Sequence, residues 1–143
     1  SDGQYVAKDF WILAKRIQAC DYVRGGKLGR KDPWARRIAS FTFNKLVLLL
    51  FDVYFFDVNS AFHLIKKEVI KEILPQLDCM PTLVNTELLL RSVYSNYQVQ
   101  QVYVRHRNRT DGISRGLPPS KFAFHTLKAF TGLLSIKKDF RQN

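Results

Sequence analysis

The sequence predicts a mixed α/β fold, and three observations indicate it. Apolar residues make up 46% of the 143 residues, a proportion typical of a globular chain with a buried core. Segments with the 3.6-residue period of an amphipathic helix alternate with short runs of strand-forming residues. Only three or four such strands can be recognised, which favours a small sheet flanked by helices. The length suits one domain and argues against two.

The first half of the chain is predicted to form two helices and three strands. Phe10, Leu13 and Ile17 recur on one helical face within residues 7–19. A short strand at 21–23 is expected to stop at the two glycines that follow it. A second helix opens at Asp32-Pro33, because proline suits the first turn of a helix, and it continues through the apolar run 46–51. A buried strand is predicted at 53–56 and another short strand at 60–65.

The second half is predicted to form three helices and one strand. Helices are expected at 66–74, ended by Pro75, and from Asn85 or Thr86 to Tyr94. Alternating valines indicate a strand over 98–105. A final basic helix begins near 118–120, and its apolar stripe is formed by Phe122, Leu127, Phe130 and Leu134. Such a helix suits an anionic membrane surface or packing on the core, and both interpretations stay open.

The charge of the chain predicts a negatively charged partner. The sequence holds 23 Lys+Arg against 12 Asp+Glu, for a formal net charge of +11. Nucleic acid, a phosphate-bearing substrate and an anionic membrane surface are the candidate partners. Many of the cations fall in two predicted loops, 24–37 and 105–115. Arginine side chains in such loops suit phosphate, since each guanidinium can donate a bidentate pair of hydrogen bonds.

The cysteines and histidines exclude several kinds of site. Cys20 and Cys79 are too few for a disulfide scaffold, and neither belongs to a C-x-x-C pair. Free cysteines fit a reducing compartment. His63, His106 and His125 are too scattered for a metal motif.

Three short segments hold side chains suited to chemistry. Asp2 and Gln4 offer oxygen ligands for a hard cation, although an Asp-Gly pair is also typical of a simple turn. Asp57 follows an apolar segment, where a carboxylate can act as a base or cap a turn. The segment Arg109–Arg115 places donors around a glycine and suits an anion, or it is an exposed basic turn.

In their order, these segments resemble the C-terminal part of a family 2 glycosyltransferase with the GT-A fold. The subgroup that they resemble is the dolichyl- or polyprenyl-phosphate sugar transferases. Asp2-Gly3-Gln4 is similar to the end of the family's D-x-D-G-Q motif. Trp34 with Arg36 (or Arg37), Ser40 and Asn44 is similar to the family's W-x-x-x-R with its serine and asparagine. The segment Asp57–His63 is similar to D-x-x-S-G-F-R, with Ala61 for Gly and His63 for Arg, and Glu87–Arg91 is similar to E-L-x-x-R. The last motif, R-x-x-G-x-S-K, is matched by Arg109, Gly112, Ser114 and Arg115, with Arg for Lys.

The resemblance implies a function and a set of site residues. It implies an enzyme that transfers a sugar from a nucleotide-sugar donor to an acceptor, expected to be a polyprenyl phosphate, with inversion at the anomeric carbon. Mg²⁺ or Mn²⁺ is expected at Asp2 and Gln4, and Asp57 is the expected catalytic carboxylate. Donor and acceptor phosphates are expected at Arg24, Lys27, Arg36, Ser40, Arg109, Ser114 and Arg115.

The resemblance also implies how the chain is organised and where it acts. Residues 1–117 are expected to be the C-terminal part of the catalytic domain, and 118–143 the basic amphipathic helix. The nucleotide-binding half of the family precedes D-x-D, so the isolated 143 residues are expected to be inactive. The expected location is cytoplasmic, at the cytoplasmic face of a membrane as a peripheral protein.

Two other functions stay open. A small basic nucleic-acid-binding domain is the alternative that charge and aromatic content favour. It is the weaker of the two main hypotheses, because Phe41, Phe51 and Phe56 fall in core-like patterns and not among the arginines. A non-catalytic module that binds a membrane surface is the third hypothesis.

Overall fold

The computed structural model describes residues 7–28, 34–105 and 119–142. These residues form five α-helices and a small mixed sheet of three strands, which confirms the predicted α/β class. The elements, in chain order, are α1 (Phe10–Arg16), β1 (Tyr22–Leu28), α2 (Trp34–Phe51), β2 (His63–Ile65), α3 (Lys67–Ile73), α4 (Val84–Tyr94), β3 (Val99–Arg105) and α5 (Pro119–Gln142). Short 3₁₀ turns flank α1 and follow α3, at Ala7–Asp9, Ile17–Ala19 and Leu74–Gln76.

The strand order in the sheet is β2-β1-β3. Strand β1 is antiparallel to β2, with Val23 opposite Leu64. It is parallel to β3 over its whole length, from Tyr22 opposite Val99 to the last residue of each strand. The parallel pair requires a long crossover, and α2, β2, α3 and α4 all lie within it. Strand β1 is therefore the centre of the sheet.

The predicted end of the first strand is wrong, because β1 continues through Gly25 and Gly26 to Leu28. A side chain on either glycine would meet an aromatic ring. A Cβ on Gly25 would lie 2.7 Å from the ring of Phe62, and one on Gly26 would lie 2.0 Å from the ring of Phe56. The glycines let these rings lie directly on the backbone of β1. The first part of the predicted basic loop is consequently a strand.

The predicted strand at 53–56 is also wrong. Residues 53–56 pair with none of the described strands. The backbone of residues 57–60, which follows directly, forms hydrogen bonds instead to side chains of neighbouring elements. The other predicted strands correspond to β2 and β3, although β2 is limited to His63–Ile65.

The predicted helices are confirmed, with shifts of up to three residues at their ends: the first, predicted over 7–19, is α-helical over Phe10–Arg16 and continues on both sides as 3₁₀ turns. Helix α3 ends before Pro75, which lies in the following 3₁₀ turn. Helix α5 packs on the core, as one of its two interpretations holds, but not through the predicted stripe. Ala129, Leu133 and Ile136 are buried, whereas Leu127, Phe130 and Leu134 of the stripe are exposed, and the side chain of Phe122 lies outside the described part of the structure. None of the described helices is both long enough and apolar enough to cross a membrane.

Three apolar clusters stabilise the fold. One lies between α1 and one face of the sheet and includes Leu13 and Val23. A second lies on the other face of the sheet, where Tyr22 meets Ile73 of α3. The third and largest joins α2, α4 and α5, and contains Val47, Phe51, Val53, Val58, Met80, Leu89, Leu90, Ala129, Leu133 and Ile136. Residues 53–58 thus run between this third cluster and the sheet.

Candidate functional site

Two amide side chains hold the segment that carries Asp57. Asn44 of α2 donates to the carbonyl of Phe56 at 2.8 Å and accepts the N–H of Val58 at 3.4 Å. Gln101 of β3 accepts the N–H of Phe56 at 2.9 Å and donates to the carbonyl of Asp57 at 3.1 Å. These four bonds replace the ladder that a strand would have made. The backbone on both sides of Asp57 is therefore fixed between a helix and the sheet.

The next residues of the segment are held from β1 and α4. The guanidinium of Arg24 donates to the carbonyls of Val58 and Ser60, at 2.8 and 3.0 Å. The hydroxyl of Thr86 donates to the same Val58 carbonyl at 3.3 Å. Ser60 completes the connection, because its hydroxyl donates to the carbonyl of Gly25. We call residues 56–60 the clamped segment.

The carboxylate of Asp57 lies in the middle of the clamped segment and is 7% exposed. Its Oδ2 atom is buried and makes no hydrogen bond to any described residue. Buried carboxylate oxygens are normally bonded, so an unbonded one in a native fold is a candidate for a functional group. Oδ2 of Asp57 is thus free to accept a further hydrogen bond, and a ligand reaches it only when neighbouring side chains move, because the atom is closed to solvent.

An open cleft lies beside the clamped segment, between Phe56 and the N-terminal half of α2. Its volume is about 450 Å³, and its lining is partly apolar and partly polar. The lining residues are Trp34, Arg37, Ile38, Ser40, Phe41, Asn44 and Phe56. Phe56 belongs to both the cleft and the clamped segment, and Asn44 lines the cleft while bonding to Phe56 and Val58, so the two features adjoin. An exposed cation and a hydroxyl next to large apolar side chains suit an amphiphilic anion.

Phe56 connects the cleft with the sheet. Its ring stacks on that of Tyr103 at a centroid distance of 4.3 Å, and it lies over Gly26. The expectation that Phe41 belongs to the core is wrong, because this side chain is largely exposed. Phe41 lies instead on the outer side of α2 and lines the cleft.

The structure separates the residues that were predicted to bind phosphate. Ser40 lines the cleft. Arg24 is fully buried in β1, with its guanidinium donating to the main chain, and Lys27 lies in the same strand and not in a loop. Arg24 therefore positions the clamped segment, which differs from the predicted contact with a phosphate in a loop. Arg36 lies in the first turn of α2, and its side chain is outside the described part of the structure.

The remaining predicted site residues lie outside the described residues. These are the expected metal ligands Asp2 and Gln4, and the expected phosphate contacts Arg109, Ser114 and Arg115. Arg105, at the start of the second predicted basic loop, ends β3, and both its backbone N–H and its guanidinium donate to the buried Asp9, at 2.6 and 2.8 Å. This cation therefore fixes the segment before α1 to the sheet.

Sequence reasoning missed the roles of Thr86 and Gln101. Both form hydrogen bonds to residues more than 25 positions away in the chain, and no local pattern encodes such a distance. The one available signal was Gln101 itself, one of two adjacent glutamines in a strand of alternating valines. Arg37 was the alternative to Arg36, and it is the arginine that the structure places at the cleft.

Glu87 anchors the loop before α4. Its carboxylate is 1% exposed and accepts the backbone N–H groups of Asp78, Cys79 and Met80, at 3.2, 3.1 and 2.8 Å. It also accepts a bond of 2.9 Å from Arg91, one turn further along the helix. Glu87 and Arg91, the two charged residues of the E-L-L-L-R segment, thus stabilise the loop before α4. Neither residue lines the cleft.

A cluster of potential metal ligands lies beside Arg91, but a guanidinium already holds it together. The ligand atoms of Asp78, Cys79 and Asp139 lie within 4.8 Å of one another. Nη2 of Arg91 lies 3.3, 3.4 and 3.1 Å from these three side chains. Burial and the neighbouring Asp78 raise the pKa of the Cys79 thiol to about 11, which disfavours the thiolate that a metal needs. The cluster therefore fits an arginine and not a metal ion.

His63 is enclosed beside two buried residues of β1. Its ring meets that of Tyr22 edge-on at 5.6 Å, and it lies opposite Arg24 in the β1–β2 register. Its Nδ1 atom is buried and has no hydrogen-bond partner among the described residues. Burial, and secondarily the charge of Arg24, lower the pKa of His63 below its usual value.

This environment makes the stability of the chain dependent on pH. An unfolded histidine takes up a proton near pH ~6.5, whereas the native His63 resists it. The free energy of unfolding is therefore expected to fall as the pH drops below about 6.5, and His63→Gln is expected to reduce that fall. Urea denaturation of both proteins at about pH 7.5 and about pH 5.5 measures the difference. An equal loss of stability in both would show that His63 does not contribute.

Comparisons with known proteins give no identification. No protein-family model, no curated protein and no solved structure matches this chain. The similarity to family 2 glycosyltransferases therefore stays a prediction, and the chemistry of the site rests on its own residues.

Proposed function

We propose that this chain forms part of a glycosyltransferase that transfers a sugar from a nucleotide-sugar donor to a polyprenyl phosphate. The motif order supports a family 2 enzyme with the GT-A fold. The observation that carries the proposal is the junction of the amphiphilic cleft with the clamped segment, because Phe56 belongs to both and Asn44 lines the cleft while bonding to the segment. The backbone that carries Asp57 is thereby held next to the cleft.

The cleft suits a polyprenyl phosphate because it offers groups for both ends of the molecule. Arg37 and Ser40 can donate hydrogen bonds to phosphate oxygens. Trp34, Ile38 and Phe41 present apolar surface along the same side of α2, and this surface suits the first isoprene units. Bases of a single-stranded nucleic acid can also stack on Trp34 and Phe41, so RNA is the competing ligand in the titration below.

The proposed reaction is a single displacement at the anomeric carbon. An oxygen of the acceptor phosphate forms the new bond while the bond to the nucleotide diphosphate breaks, and the configuration inverts. Asp2 and Gln4 would hold Mg²⁺ or Mn²⁺ in this proposal, and the bound ion would neutralise charge on the departing diphosphate. Arg37 positions the acceptor and balances its charge.

Asp57 has a specific part in this proposal. An acceptor phosphate is already anionic, so it needs little help from a base. The carboxylate is then available to accept a hydrogen bond from a hydroxyl of the donor sugar, which fixes the direction of the anomeric carbon. Its unbonded Oδ2 supports this part. A hydroxyl acceptor would instead require Asp57 as the general base.

Binding of farnesyl phosphate tests the acceptor site in the chain itself. Isothermal titration is expected to show binding of farnesyl phosphate, and weaker binding of farnesol and of inorganic phosphate. Arg37→Ala is expected to weaken farnesyl phosphate about tenfold or more, since it removes a hydrogen bond between charged groups. Arg16→Ala, which removes an exposed cation of α1, is the matched control and is expected to change nothing.

Three outcomes would contradict the proposed acceptor. Farnesol could bind as tightly as farnesyl phosphate, or Arg37→Ala could leave the affinity unchanged. Alternatively, single-stranded RNA could bind in a strongly salt-dependent manner and displace farnesyl phosphate, which would favour a nucleic-acid-binding domain.

A further inference from the structure

Helix α2 is apolar on two opposite faces. Its inner face is buried in the third cluster, where Val47 and Phe51 lie with residues of α4 and α5. A surface helix of a globular protein normally keeps its other face polar. The outer face of α2 does not follow this rule.

Four large apolar side chains form a stripe along the outer face. Trp34, Ile38, Phe41 and Leu49 are 75%, 55%, 63% and 80% exposed. Their spacings of four, three and eight residues place them on one side of the helix. We call these four residues the outer stripe. Single exposed apolar residues are common, but four large ones on one side of a helix, interrupted by a single lysine, indicate an interaction surface.

The charge of α2 indicates the chemistry of what the outer stripe meets. The sequence of the helix contains Arg36, Arg37 and Lys45 and no acidic residue. Lys45 lies within the stripe, and its Nζ is 5.6 Å from the ring centre of Phe41. Lysine and arginine can lay their aliphatic portions along apolar groups while the charged ends reach lipid phosphates. Tryptophan likewise favours the boundary between headgroups and acyl chains.

We infer that the outer stripe binds an anionic lipid leaflet, with α2 lying along the membrane surface. The inner face belongs to the protein core, so only the outer face can enter the lipid. A second copy of the chain fits less well, because a two-fold contact between outer stripes would bring basic side chains together without an acidic partner on either helix. Membrane binding of this kind does not require sugar transfer.

Tryptophan fluorescence tests where the stripe lies. The chain has two tryptophans, Trp11 and Trp34, and both are exposed. In the Trp11→Phe variant, Trp34 is the only tryptophan that contributes to the fluorescence. Its emission is expected to move to shorter wavelength with vesicles of phosphatidylcholine and phosphatidylglycerol, and to be quenched by lipids brominated in the acyl chain. In Trp34→Phe, where Trp11 alone reports, neither change is expected.

Vesicle sedimentation of the full chain and of matched variants tests the same inference. Leu49 belongs to the outer stripe but does not line the cleft, so Leu49→Asp is expected to weaken vesicle binding about tenfold or more and to leave farnesyl phosphate binding intact. Tyr54→Asp and Leu74→Asp alter exposed apolar residues outside α2 and are expected to have no effect. These readouts separate failure of membrane binding from failure of the proposed function.

Several results would overturn the inference. Trp34 could fail to respond, or it could respond equally to pure phosphatidylcholine. Leu49→Asp could bind vesicles like the unchanged chain while Leu127→Asp in α5 abolishes binding. Sedimentation equilibrium without lipid could also show a dimer that Leu49→Asp dissociates, which would assign the outer stripe to a second copy.

Discussion

Replacement of Glu87 by alanine is expected to lower the free energy of unfolding by about 3 kcal/mol. The buried carboxylate accepts three backbone N–H groups from residues 78–80 and a bond from Arg91. Removing it leaves these donors without their acceptor, and the loss is costliest for the Met80 N–H and the Arg91 guanidinium, which are buried. Arg91 keeps Asp78 and Asp139 as partners. We therefore expect a loss of unfolding free energy at the lower end of the range found when one partner of a buried ion pair is removed.

Urea denaturation followed by circular dichroism measures this change. Glu68→Ala is the control, because it removes an exposed acidic residue from the first turn of α3 and is expected to cost less than about 0.5 kcal/mol. A Glu87→Ala chain as stable as Glu68→Ala would show that the loop at 78–80 is held by other contacts.

Asp57→Asn is expected to reduce sugar transfer by the full-length protein about 100-fold. The substitution keeps the size of the side chain and leaves the Asp57 carbonyl available to Gln101. The clamped segment should therefore retain its shape. What is lost is the negative charge that orients the donor sugar in our proposal, and misdirection of a reacting carbon by about 1 Å is enough to cost a factor of this size.

Asp52→Asn is the matched control for this substitution. Asp52 is an exposed aspartate next to α2, with a positive φ of 55°, and asparagine tolerates that backbone conformation as well. Transfer of radiolabelled sugar to polyprenyl phosphate is expected to be normal in Asp52→Asn. Equal activity of Asp57→Asn and Asp52→Asn would remove Asp57 from the proposed reaction, and farnesyl phosphate titration would show whether the acceptor site itself survives.

The sequence predicted those parts of the fold that local patterns determine. Helices α3, α4 and α5 and strand β3 have clear periods or a proline at one end. The two wrong strand predictions arose where distant residues decide. Gly25 and Gly26 look like a strand end, but they lie in β1 because Phe56 and Phe62 need the space above the backbone. Residues 53–56 look like a buried strand, but they lack a described strand to pair with.

The candidate site could be predicted only in part, because long-range contacts also decide which side chains form it. Ser40 and Asp57 were identified from motif order, and the structure brings their elements together at the cleft and the clamped segment. The burial of Arg24 could not be foreseen from a run of basic residues, since its partners Val58 and Ser60 lie more than 30 positions away. A buried arginine and a phosphate-binding arginine look identical in the sequence.

Titration of the chain with farnesyl phosphate, followed by amide NMR spectra, tests most directly whether the cleft and the Asp57 segment form one acceptor site. The largest shifts are expected at Ser40, Asn44, Phe56 and Asp57, and inorganic phosphate or farnesol alone should produce much smaller ones. Shifts confined to the basic residues of α5, such as Lys137, or shifts of equal size with farnesol, would contradict a polyprenyl-phosphate site in this cleft.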